Sequence, residues 1–98
     1  MATFPGGSAY AMAKDIAEGF LLVTERTFAR FAPPELVQLQ FEMDRALRDI
    51  RGAQPPIDDL QAVQQRNRKI QRLNGALSML RAYKQRRRIG TPPPGGGS

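Results

Sequence analysis

The chain contains no cysteine, no histidine and no tryptophan. Those absences exclude disulfides, thiolate nucleophiles, imidazole general bases and the usual zinc and haem ligand sets. Acid–base work would fall to carboxylates, lysines, tyrosines and serines, and none of these converge. Asp58 and Asp59 are adjacent, as suits a helix start, while Asp44 and Asp49 fall on the polar side of a helical segment. The glycines near the termini lack the Lys and Ser or Thr of a strand-to-helix phosphate loop, and no acids follow calcium-loop spacing. The expectation is a protein that is not an enzyme, with no catalytic residue, no cofactor and no metal.

Long apolar runs are scarce as well. Phe20–Val23 is far short of the ~20 residues a membrane helix needs, and Asp15, Glu18 and Glu25 surround it. Met1–Gly7 carries no Lys or Arg, as a secretory signal would, and the same acids argue against a mitochondrial presequence. A soluble, intracellular chain of cytoplasm or nucleus is expected.

What the sequence does have is helical periodicity in 98 residues, enough for one modest core. Its 8 prolines and most of its 9 glycines cluster at the ends and at junctions, dividing the chain into three segments. The first runs from an N-cap at Ser8 to about Phe31, before Pro33-Pro34. At 100° per residue Ala9, Met12, Ala13, Ile16, Ala17, Phe20, Leu21, Val23, Phe28 and Phe31 share one half of its wheel. The second occupies residues 34–51, with Leu36, Leu39, Met43, Ala46 and Ile50 in a 3-4 spacing that presents a seam to one partner helix; Phe41 and Val37 lie off that seam. The third covers 58–88, opened by Asp58 and Gln61 at capping-box spacing. Val63, Ile70, Leu73, Ala76, Leu77, Leu80 and Tyr83 form its apolar face, interrupted by Arg66 and Lys84. Gln64, Asn67, Gln71, Asn74, Ser78 and Gln85 form an uncharged polar stripe beside it. The expected architecture is all-α: three helices in one domain over 8–89, as a long, coiled-coil-like helical hairpin with the N-terminal amphipathic helix packed across it. Residues 1–7 are expected to be flexible and the Pro/Gly-rich tail 90–98 disordered, with the last four residues reading as a linker.

The charges are unevenly distributed. Residues 1–59 hold all nine acids and six bases, a net of −3, whereas from Leu60 onward there are nine bases and no acid. The overall +6 is thus an acidic front and a strongly basic third segment. Either these bases pair with the acids of the first two segments and with the C-terminal dipole of their own helix, or they meet an acidic protein face, the phosphates of a nucleic acid or, more weakly, an anionic membrane surface. Arg66, Arg68, Lys69, Arg72, Arg86, Arg87 and Arg88 are the candidate electrostatic contacts. They point in three directions, which disfavours a sequence-specific major-groove reader.

Arg66-Asn67-Arg68, followed by Leu73-Asn74-Gly75-Ala76-Leu77 and Leu80-Arg81, resembles the basic region and first helix of basic helix-loop-helix proteins over residues 66–81. The base-reading Glu of that family is absent, the spacing is one residue longer, and no second dimerisation helix follows, so none of its residue roles transfer. The function expected is therefore that of a small helical subunit or adaptor, working by helix–helix contact with a protein partner or a second copy. Phe20, Leu21, Phe28, Phe31 and Phe41 are the apolar contact candidates, and a sequence-nonspecific nucleic-acid-binding protein is the alternative.

Overall fold

The computed structural model describes Phe4 and residues 7–87. Among them all the regular secondary structure is α-helix, with four helices where the sequence predicts three: α1 (Ala9–Glu18), α2 (Glu25–Ala29), α3 (Pro33–Gly52) and α4 (Leu60–Arg87).

The expected helix over 8–31 is two helices, and Gly19 is the reason. Ser8 caps α1 as expected, its hydroxyl accepting from the Ala11 N–H at 3.0 Å. After the ten residues of α1, Gly19 adopts the left-handed conformation (φ 84°), and the Gly19 and Phe20 N–H groups donate back to Ile16 and Asp15 at 3.2 and 2.9 Å. That paired closure satisfies the last carbonyls and turns the chain out of the helix, a conformation cheap only for glycine. Residues 20–23 cross over as an irregular connection. The Thr24 N–H then donates to the Thr27 hydroxyl at 3.1 Å, opening the short α2.

Pro33 and Pro34 occupy the first positions of α3, where a missing N–H costs nothing, and the Glu35 carboxylate reaches back to the Ala32 N–H at 2.6 Å. At α4 the capping residue is Asp59 rather than Asp58: its Oδ1 accepts from the Ala62 N–H at 3.1 Å, so the helix starts at Leu60. The Arg88 end of that helix, most of the 1–7 segment and the 90–98 tail lie outside the described residues.

α3 and α4 run antiparallel, since Arg66 near the start of α4 meets Ile50 and Arg51 at the end of α3, while Lys84 near the end of α4 meets Gln40. α1 packs against both, and α2 packs on the C-terminal half of α4. Met12, Leu36, Leu39, Met43, Leu73, Leu77 and Leu80 are fully buried where the helices converge. Phe28 fixes α2 to α4 through a tilted contact with Tyr83, ring centroids 5.9 Å apart, and Phe31 stacks on Phe4 at 4.9 Å. Both are buried, which removes them from the apolar contact set.

Candidate interaction surface

The basic residues of α4 are, for the most part, engaged within the chain. Arg66 donates from Nε to the Ile50 carbonyl at 3.3 Å and from Nη2 to the Arg51 carbonyl at 3.1 Å, covering acceptors at the end of α3. Arg72 does the same for α1, its Nη1 donating to the Ala17 carbonyl at 2.9 Å. Between them Lys69 pairs with Glu18 at 3.0 Å. The C-terminal end of a helix carries partial negative charge, so cations placed there are favoured by roughly 0.3–1 kcal/mol each. Arg66, Lys69 and Arg72 thus form a clasp along α4 that holds the ends of two other helices. Their differing directions follow from the positions of α1 and α3.

Further along, Arg81 pairs with Asp44 at 3.1 Å and Arg86 with Glu25. The Arg87 guanidinium lies 5.0 Å from the centre of the Tyr83 ring. Arg68 is exposed and makes no ion pair among the described residues. Arg88 lies outside them.

Lys84 is the exception among the cations, because it is buried in the apolar face, only 6% exposed. Its Nζ donates to Gln40 Oε1 at 2.7 Å. Burial holds its pKa below the ordinary value of 10.5; the carboxylate of Asp44 opposes that shift and Arg81 adds to it. The break in the apolar face that the sequence places at Lys84 is therefore filled by the lysine itself, with one neutral partner.

The apolar candidates separate in the same way. Phe20 is 80% exposed on the α1–α2 connection, and Leu22, which wheel spacing places off the apolar half, is 85% exposed beside it. Leu21 and Val23 point the other way, half-buried against the core. Beneath this connection Leu21, Leu22 and Val23 line a small groove of about 140 Å³ with Ile16, Ala76 and Met79. Phe41, 56% exposed, stands on α3 away from that groove. The signal that could have found Leu22 is the break itself: once Gly19 ends α1, residues 20–23 no longer obey helical spacing, and alternate side chains of an extended connection point to opposite sides.

No group of three or more acidic side chains able to hold a metal ion occurs among the described residues, and no helix there is long and apolar enough to cross a membrane. The chain matches no family model, no curated protein and no solved structure.

Proposed function

We propose that the chain is a non-enzymatic helical subunit or adaptor that binds a protein partner, or a second copy, by helix packing against the α1–α2 connection. The observation that carries this reading is the pair Phe20 and Leu22, both nearly fully exposed on a segment whose two ends are fixed, at Gly19 by the α1 closure and at Thr24 by the Thr27 hydroxyl. A large apolar side chain left in water forgoes roughly 1.5–3 kcal/mol of burial. Two such side chains, adjacent to an apolar groove and held in place, form an anchor that a partner can cover. The groove supplies a recess, and Met79 at its edge is adaptable in shape.

The same side chains bear on the nucleic-acid alternative. Arg66, Lys69 and Arg72 are engaged with helix ends, so replacing them by acids would unfasten α1 and α3 and a loss of binding would not report on a phosphate site. Arg68→Glu alone tests that alternative cleanly.

The deciding experiment compares the full chain with the F20S/L22S variant. Light scattering over a concentration series, together with affinity capture from the cell that makes the protein, should show self-association or a stoichiometric partner for the wild type. Both should be lost in the variant while its far-UV dichroism is unchanged. A wild-type chain that stays monomeric and retains no stoichiometric partner overturns the reading.

A further inference from the structure

The opposite side of the molecule carries a different feature. α1 lies over one side of the α3–α4 pair, where Ala46 and Ile50 line a groove with Tyr10, Lys14 and Ala17. Arg48 is two residues after Ala46, about 200° around the helix, and so belongs to the side that α1 leaves uncovered. There the two long helices form an open groove of about 480 Å³, lined from α3 by Phe41, Leu47, Arg48 and Arg51 and from α4 by Asn74 and Arg81. Asp44 is the one acid in it, and it is already paired with Arg81 at 3.1 Å. Arg48 and Arg51 are exposed and make no ion pair among the described residues. The groove therefore holds two uncompensated guanidinium groups beside an exposed aromatic ring, with Val37 exposed one turn before it.

We infer that this groove docks an acidic amphipathic helix of a partner protein. Charge complementarity selects acid, since two free arginines three residues apart on one helix face can each donate charge-assisted hydrogen bonds to a carboxylate. The apolar end selects an amphipathic segment, because Phe41 precedes Arg48 by seven residues, or about 10 Å along the axis. A helix lying along the groove meets both when an apolar residue and its acids are separated by about two turns, the helix-in-groove mode of recognition. Asn74 on the facing wall can donate to or accept from the partner's polar edge. This surface is separate from the Phe20 and Leu22 connection and is disabled by different substitutions.

The test is a displayed library of random peptides of about 15 residues, four helical turns, selected on the full chain and counter-selected on R48E/R51E. Enriched peptides should carry Asp or Glu about two turns from a Leu, Ile or Phe. A synthetic copy of one, followed by fluorescence anisotropy, should lose about tenfold or more in affinity against R48E/R51E and against F41A, weaken with salt, and be unmoved by F20S/L22S. All of these positions are exposed, so unchanged dichroism is expected to accompany the losses. No enrichment over the counter-selected variant, enrichment of neutral or basic peptides, or equal affinity for R48E/R51E overturns the inference. A labelled DNA duplex that binds the wild type and is released by R48E/R51E would assign the arginines to phosphates, and a homodimer dissolved by those substitutions would assign the groove to a second copy; either result overturns it too.

Discussion

Gly19→Ala separates two effects that meet at one position. A Cβ built on Gly19 would lie 2.9 Å from Arg72 Cζ, closer than real Cβ atoms come, and a tight 3.1 Å from its Nη2. The backbone is also left-handed there, at φ 84°, which disfavours any L-residue by roughly 1–2 kcal/mol. Removing glycine from the unfolded chain returns about 0.4–1 kcal/mol. The guanidinium must then move, and its hydrogen bond to the Ala17 carbonyl, a charge-assisted contact on a partly exposed side chain, is worth about 1 kcal/mol. The expected total is about 2 kcal/mol, or ~8–16 °C in Tm for a domain this small. Urea and thermal denaturation of G19A, R72A and the double variant resolve the parts, provided each transition is two-state. In the R72A background the crowding is gone, so Gly19→Ala should fall to about 0.5–1 kcal/mol, leaving a coupling of about 1 kcal/mol. Equal costs in both backgrounds would refute the contact. A cost below about 0.5 kcal/mol in the wild type would refute the argument from backbone conformation.

Lys84→Met replaces a buried ammonium by an apolar side chain of similar length, and Gln40, only half-buried, can turn to water, so stability at neutral pH should rise by about 1 kcal/mol. Because the folded-state pKa lies below 10.5, the unfolded chain binds more protons between the two values. The wild type should therefore gain stability as pH climbs through the folded pKa toward 10.5 and lose that gain as pH falls back. The methionine variant should show neither change, and a net destabilisation by K84M in urea titrations would sink the argument. Leu77→Ala, at a fully buried position of α4, should cost about 2–5 kcal/mol by calorimetry or denaturant titration. A loss under about 1 kcal/mol would mean that the core collapses around the site.

The helices were legible wherever local chemistry decides them. Ser8, the Pro34-Glu35 start, one residue inside the observed Pro33, and the apolar seam of Leu36, Leu39 and Met43 can be read directly, because caps and periodicity are properties of neighbouring residues. The division of the first segment was missed because Phe28 and Phe31 happen to continue the wheel of α1, so spacing alone gave no sign of a break that Gly19 makes. The choice of Asp59 over Asp58 turns on one residue of register, which two adjacent acids leave undetermined. The basic residues illustrate a different limit. Their concentration in α4 is visible in the sequence, but that Arg66 meets the end of α3 and Arg72 the end of α1 depends on which helices lie beside them. The same holds for Phe20, Phe28, Phe31 and Phe41: one apolar pattern, divided by packing into two core rings and two exposed ones.

The clasp of Arg66, Lys69 and Arg72 also orders events in time. Arg66 reaches back 16 residues to Ile50, whereas Arg72 reaches back 55 to Ala17. Closing the longer loop costs about 1 kcal/mol more in chain entropy, by the logarithmic dependence on length. The α3–α4 pair can therefore form first, with α1 arriving on a surface already built, and the Ala17 carbonyl stays uncovered until Arg72 of α4 has left the ribosome. In the finished protein the same asymmetry runs in reverse: of the three longer helices α1 should let go first, its amides exchanging with solvent ahead of those of α3 and α4. Exchange in α3 that is as fast as in α1 would contradict that order. The Phe20 and Leu22 anchor is then attached to a helix that releases before α3 and α4, so a partner seated on it would set how long α1 stays in place.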